Sequence, residues 1–164
     1  MKGILDLVHS DVYGPMSDKS LGDHLYYVIF IDNCSRKTWI YFLNSKDGVF
    51  EKFQELKAQD ENASGRRIKT LRFDNAREYI SKELIALCKD VGIKRELMAP
   101  YYPQQNGIVK RKNITIMELA KAMLHDQELS MFLWGEASKT DVYVQNRCTH
   151  QILDYKTLEE DFIK

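Results

Sequence analysis

Two runs of β-branched and aromatic residues, joined by a short polar turn, constrain the fold of this chain most. Residues 26–31 (YYVIFI) and 38–43 (TWIYFL) have the composition typical of β-strands. Residues 32–35 (DNCS) between them are typical of a turn. The apolar segment 4–11 predicts a further strand before them. These three segments therefore predict a meander at the start of a β-sheet.

Helical and strand-like segments alternate after this meander. Helical spacing of apolar residues predicts a helix over 46–59, ended by the segment 62–65. A strand is predicted at 68–73, then a helix capped by Ser81 and stopped by Gly92, then a short strand at 93–97. Two prolines and a glycine predict a loop over 99–107. Helices follow at 108–127 and 131–146, the first with Ile116, Leu119, Ala120 and Met123 on its inner face. This pattern alone predicts an α/β fold with a mixed sheet.

Size and composition predict one soluble domain with no net charge to attract nucleic acid. The chain has 164 residues, with 24 basic and 24 acidic side chains. Any DNA binding must therefore come from local patches. Three widely spaced cysteines suit a reducing compartment. The longest apolar run, residues 25–31, is far shorter than the roughly 20 residues of a membrane helix, and no signal peptide is evident. We expect the cytoplasm and nucleus as its location, with no membrane association.

Three polar segments carry the candidate chemistry. The first reads His-Ser-Asp-Val-Tyr-Gly-Pro at 9–15 and contains Asp11 at the end of a predicted strand. The second, Leu-Arg-Phe-Asp-Asn at 71–75, places Asp74 directly after another strand. The third, at 100–113, reads Pro-Tyr-Tyr-Pro-Gln-Gln-Asn-Gly-Ile-Val-Lys-Arg-Lys-Asn and leads into the long helix.

Together these segments closely resemble the catalytic core of retroviral-type integrases, specifically those of copia-type LTR retrotransposons. The resemblance runs from about residue 4 through nearly the whole chain. It implies a ribonuclease H-like fold, with a five-stranded mixed sheet flanked by helices, in a single domain over 1–164. Because the chain stops inside the family's C-terminal pattern, we expect a fragment of a longer polyprotein. In the family, two aspartates and a glutamate hold two Mg²⁺ or Mn²⁺ ions for DNA 3′-end processing and strand transfer.

Lys110 stands where the resemblance implies the third acid. The family glutamate follows the second aspartate after thirty-five residues, and here 110 − 74 = 36 leaves the same gap. A unit-charge contact at ~4 Å and an effective dielectric of about 20 is worth roughly 4 kcal/mol, so attraction toward a metal becomes repulsion. We expect Asp11 and Asp74 at the metal-binding positions, with the Lys110 ammonium between them as a counter-ion that occupies the place of the metal. Glu118 points about 80° away along the helix and cannot substitute.

The turn after Asp74 also departs from the family pattern. Phe73 replaces a serine, and Ala76 and Arg77 replace two glycines, which normally allow positive φ or close backbone approach. Asn75 is interpreted as a turn former. These departures favour a decaying or repurposed copy.

Several residues are candidates for DNA binding. The resemblance implies that Tyr101, Gln104, Gln105 and Asn106 contact a DNA end, although they could form only a surface loop. Arg111 and Lys112 beside Lys110 are candidate phosphate contacts, and the alternative is ordinary solvated charge.

Three functions are compatible with these residues. The first is an integrase core, impaired or inactive, that joins element ends to target DNA as a homodimer or higher oligomer without a small-molecule substrate. The second is a non-catalytic DNA-binding or dimerisation module derived from an integrase. The third is an active metal nuclease with a lysine in its site.

Overall fold

A computed structural model describes residues 3–73, 79, 81–98, 103–150 and 154–163, without the side chains of 103–106 and 150. Its main sheet contains β1 (Val8–Tyr13), β2 (Tyr26–Asp32), β3 (Thr38–Leu43), β4 (Thr70–Phe73) and β5 (Lys94–Leu97). The strand order is β3-β2-β1-β4-β5, with antiparallel pairing from β1 to β3 and parallel pairing of β4 with β1 and β5. The predicted five-stranded mixed sheet is confirmed.

Five α-helices and a small hairpin complete the described part of the chain. The helices are α1 (Val49–Ser64), α2 (Lys82–Val91), α3 (Pro103–Asp126), α4 (Trp134–Arg147) and α5 (Leu158–Ile163). Short 3₁₀ turns, Lys46–Gly48 and Met131–Leu133, precede α1 and α4. Strands β6 (Thr149–His150) and β7 (Lys156–Thr157) pair with each other before α5. Within the described ranges, every helix is too short or too polar to cross a bilayer.

The predicted helix signals around α2 are confirmed. Ser81 accepts a hydrogen bond from the backbone N–H of Leu84 and caps the first turn. Gly92 ends the helix in the left-handed conformation, with φ of 76°. Gly65 ends α1 in the same way, with φ of 66°.

The sheet separates two hydrophobic cores. One core packs α1, α2 and α5 against the side of the sheet that carries Val8, Val28 and Phe30. The other packs α3 and α4 against the side that carries Tyr27 and Ile29. Because side chains alternate along a strand, β1 presents Val8 to the first core and His9, Asp11 and Tyr13 to the α3–α4 side.

Three predictions about these elements are wrong in detail. Strand β1 begins at Val8 rather than residue 4, because Leu5 lies in a turn and donates its N–H to the Asp32 carboxylate at 2.9 Å. Helix α3 begins at Pro103 rather than 108, so the predicted loop over 99–107 is helical from Pro103 onward. Proline is tolerated in a first helical turn, where its missing N–H costs nothing. Leu119 is 42% exposed, and Met117 and Leu124 face the core instead.

Candidate active site

Asp11 lies on the central strand β1, on the side that α3 covers. Its strand position pairs with Ile29 of β2. From α3, the side-chain amide of Asn113 donates a hydrogen bond to Asp11 Oδ2 at 2.8 Å. Asn113 is only 3% exposed, whereas Asp11 is half-buried. This contact ties the long helix to the strand that carries the first predicted acid.

Tyr27 of β2 fixes the orientation of that amide. Its hydroxyl donates to Asn113 Oδ1 at 3.1 Å, in a fully buried position. Burial raises the pKa of Tyr27, so its hydroxyl stays a protonated donor at neutral pH. Because the Asn113 oxygen accepts from Tyr27, its NH₂ group must face Asp11, as a donor suited to an ionised carboxylate. Neither Tyr27 nor Asn113 was a predicted site residue.

The strand that leads to Asp74 lies beside Asp11. Strand β4 pairs in parallel with β1, with Phe73 opposite Ser10. The Tyr79 ring stacks on Phe73 with centroids 4.7 Å apart, and its hydroxyl pairs with Ser10 Oγ at 2.6 Å. Asp74 itself, together with Asn75, Ala76 and Arg77, lies outside the described residues. The structure therefore places Phe73 and Tyr79, on either side of residues 74–78, next to β1.

Lys110 lies one helical turn before Asn113 in α3 and is exposed. Three residues correspond to about 300° of rotation, so the two positions differ by about 60° around the helix and about 4.5 Å along it. An exposed ammonium is well solvated, and its Coulomb energy with Asp11 is smaller than for a buried pair. The expectation that Lys110 lies between Asp11 and Asp74 stays a prediction, because Asp74 is not described.

The described donors do not fit a site for two divalent ions. Across residues with described side chains, no three His, Cys, Asp or Glu residues come together in a way that could hold a metal. From helix α3, the amide of Asn113 contacts Asp11, and the exposed residue one turn earlier is Lys110 rather than an acid. Asp11 is therefore the only predicted metal ligand whose surroundings are described.

The predicted DNA-binding residues separate into different environments. Tyr101 lies outside the described residues, and Gln104, Gln105 and Asn106 are known only as backbone of the first turns of α3. Arg111 is exposed and donates from Nε to the Gly107 carbonyl at 2.9 Å, which holds its guanidinium at the start of the helix.

Lys112 has an intramolecular partner in α4. Its Nζ donates to Gln145 Oε1 at 2.8 Å, and the Gln145 amide donates to Asp141 Oδ2 at 2.6 Å. Burial lowers the pKa of Lys112, and the nearby Asp141 carboxylate opposes that shift. Lys112 thus links α3 to α4, and its predicted phosphate contact stays untested.

Comparison with known proteins identifies the family. The integrase core domain matches residues 5–103. The chain belongs to the integrase core domain family. Similar proteins include the retrovirus-related Pol polyprotein from transposon TNT 1-94 of Nicotiana tabacum, 47% identical over 144 residues, which cover 88% of this chain and 11% of that protein. The corresponding polyprotein from transposon RE1 of Arabidopsis thaliana is 33% identical over 161 residues, which cover 98% of this chain and 10% of that protein. The chain thus spans about a tenth of these polyproteins.

Solved integrase structures share the fold. The simian T-cell lymphotropic virus intasome in complex with PP2A regulatory subunit B56 gamma superposes with a TM-score of 0.76 at 17% identity, over 99% of this chain and 55% of that chain. The HTLV-2 integrase catalytic core domain in complex with magnesium, in a trimeric form, superposes with a TM-score of 0.70 at 17% identity, over 98% of this chain and 97% of that chain. The predicted ribonuclease H-like fold is confirmed.

Proposed function

We propose that this integrase core derives from an enzyme of DNA 3′-end processing and strand transfer, and that Lys110 impairs this activity. The observation that carries the proposal is the 2.8 Å hydrogen bond from Asn113 to Asp11. It holds α3 against β1, and position 110 lies one turn earlier and about 60° around the helix, which supports its placement on the side that faces Asp11. A glutamate there would add a carboxylate beside Asp11, whereas lysine adds a cation.

The strand register supports Asp74 as the second acid. Phe73 is opposite Ser10 in a parallel pair, so the chain leaves β4 beside Asp11. Carboxylate oxygens are ligands that Mg²⁺ and Mn²⁺ prefer. Two acids without the third would bind these ions weakly, and the positive charge of Lys110 would weaken binding further.

DNA is the proposed partner, as element ends and target. The HTLV-2 core was solved as a trimer and with magnesium, and the simian virus protein in an intasome. By analogy with these assemblies, we propose that the protein works as a homodimer or higher oligomer. We also propose that residues 1–164 form one domain and that the protein is located in the cytoplasm and nucleus.

The second candidate is a non-catalytic DNA-binding module. Its support is the exposure of Lys110 and Arg111, adjacent cations on α3, with Arg111 held by the Gly107 carbonyl. Cations in this arrangement suit phosphate contacts that do not depend on a metal.

Strand transfer with Mg²⁺ or Mn²⁺ tests the proposal. We expect no product from the wild type and measurable product from Lys110→Glu, incomplete because Phe73, Ala76 and Arg77 remain. Lys89→Glu, the same charge reversal at an exposed site on α2, should stay inactive. Asp11→Asn should abolish the activity of Lys110→Glu.

Two outcomes would decide against impairment by Lys110. Robust transfer by the wild type would show that a lysine-containing site is active. If Lys110→Glu stays inactive while the wild type binds duplex DNA with a steep salt dependence, the binding module is the better account.

A further inference from the structure

A cavity of about 450 Å³ opens between the end of β1, the segment that follows it and the middle of α3. This volume lies within the range of roughly 300–1,000 Å³ typical of ligand sites. Tyr13, Met16, Met117, Lys121 and Met131 contribute to its walls. Because Asp11 and Tyr13 are two residues apart in β1, they lie on the same face of the sheet, about 7 Å apart along the strand.

Tyr13 is a fixed aromatic surface at this cavity. The residue is 37% exposed, and its ring stacks on Tyr27 with centroids 5.2 Å apart and an interplanar angle of 21°. Tyr27 is itself held by its hydrogen bond to Asn113 and by the Trp134 ring at 6.3 Å. The same hydrogen bonds that orient Asp11 therefore also support the Tyr13 ring.

The other walls suit a planar ligand attached to an anion. Met16, Met117 and Met131 bring polarisable thioethers, which make favourable contacts with aromatic rings. Lys121 is exposed on α3 and lines the same cavity, where its ammonium can contact a phosphate.

The backbone that forms one side of the cavity is closely packed. Gly14 has φ of 130°, and a Cβ there would lie 2.7 Å from the Leu25 carbonyl oxygen and from a ring carbon of Tyr26. The N–H of Met16 donates to the same Leu25 carbonyl at 2.8 Å. This wall is therefore held to the start of β2.

We propose that this cavity is a subsite for one unstacked nucleobase at a DNA end. Tyr13 is the stacking surface, and Lys121 contacts a phosphate that flanks the base. The inference rests on the proposed function, because it assumes DNA beside Asp11. Unstacking costs least for a base that is already unpaired, so the ligand is a duplex with a frayed or single-stranded end.

Equilibrium binding by fluorescence anisotropy tests the subsite with two labelled duplexes. Both carry a short unpaired end, and in one of them the unpaired nucleotides lack their bases. Tyr13→Ala should weaken binding of the first duplex about tenfold, the effect of losing one stacking surface. It should leave binding of the abasic duplex unchanged. Tyr13→Phe, which keeps the ring, should bind both duplexes as the wild type does.

Lys121→Gln tests the phosphate contact in the same assay. It should weaken binding of both duplexes and lower the slope of log affinity against log salt by about one. Lys89→Gln, which removes an exposed charge on α2, is the matched control and should behave as the wild type.

The outcomes separate the subsite from the function on which it rests. If the wild type binds neither duplex, the proposed function fails and the subsite fails with it. If the wild type binds both duplexes equally, or Tyr13→Ala weakens both to the same extent, DNA binding stands and the nucleobase subsite is refuted.

Discussion

Replacing Asn113 with alanine should destabilise the fold by a predictable amount. The substitution removes the hydrogen bond to Asp11 and leaves the fully buried Tyr27 hydroxyl without this acceptor. A buried polar group left unsatisfied costs about 1–3 kcal/mol. The bond to the Asp11 carboxylate adds only about 1 kcal/mol, since water can solvate this half-buried group. We therefore expect a loss of roughly 2–4 kcal/mol in the free energy of unfolding.

Urea denaturation followed by circular dichroism measures this loss. Asn62→Ala in α1 makes the same chemical change at an exposed site and should change stability by less than about 0.5 kcal/mol. Tyr27→Phe removes the hydroxyl that needs the acceptor. In its background Asn113→Ala should therefore cost about 1–3 kcal/mol less than in the wild type.

Two results would refute the reasoning. A loss below about 0.5 kcal/mol for Asn113→Ala would mean that the buried hydrogen bonds are not formed. Equal costs of Asn113→Ala in the wild type and in Tyr27→Phe would mean that the two side chains do not interact.

Three further experiments test the packing of the fold. Burial lowers the pKa of His9, so the free energy of unfolding should fall as pH drops below about 6.5, by up to about 1.4 kcal/mol per pH unit. In urea titrations at several pH values, His9→Gln should flatten this slope. An unchanged slope in His9→Gln would mean that His9 does not cause the pH dependence. Gly14→Ala should lower the thermal midpoint more than Gly65→Ala. Both glycines have positive φ, but a Cβ at Gly14 would lie 2.7 Å from neighbouring atoms, whereas a Cβ at Gly65 would have no atom within 4 Å. Equal shifts would argue against close packing at Gly14. Lys37→Met should cost about 3–5 kcal/mol, because it leaves buried Asp60 without the ammonium at 3.5 Å and Glu159 without its hydrogen bond at 2.8 Å. Adding Asp60→Asn should recover part of this loss, and no recovery would exclude the Lys37–Asp60 pair as a cause.

Elements with strong local signals could be predicted from the sequence. Strand β3 has the predicted bounds, because its aromatic and β-branched residues end at a turn on one side and a polar segment on the other. Ser81 and Gly92 also mark the two ends of α2 as their sequence positions predict. The start of α3 could not be predicted, because proline is as compatible with a first helical turn as with a loop.

Contacts between distant parts of the chain could not be predicted. Leu5 reads as part of a strand, but a hydrogen bond to Asp32, 27 residues later, holds it in a turn. In the site, Asp11 was recognisable from its segment. Asn113 was not, because asparagine on a helix usually faces solvent, and its partners lie 86 and 102 residues away. Its spacing of three residues from Lys110 was the one available signal.

The affinity for Mn²⁺ tests most directly whether Lys110 acts on the acidic site. Reversing a charge at ~4 Å changes the interaction with the ion by several kcal/mol at an effective dielectric of about 20, and solvent exposure reduces this. In titrations that follow the paramagnetic resonance of free Mn²⁺, Lys110→Glu should therefore bind at least about tenfold more tightly than the wild type. Lys110→Gln should lie between them, and adding Asp11→Asn should remove the gain. Equal affinities of the wild type and Lys110→Glu would contradict the account.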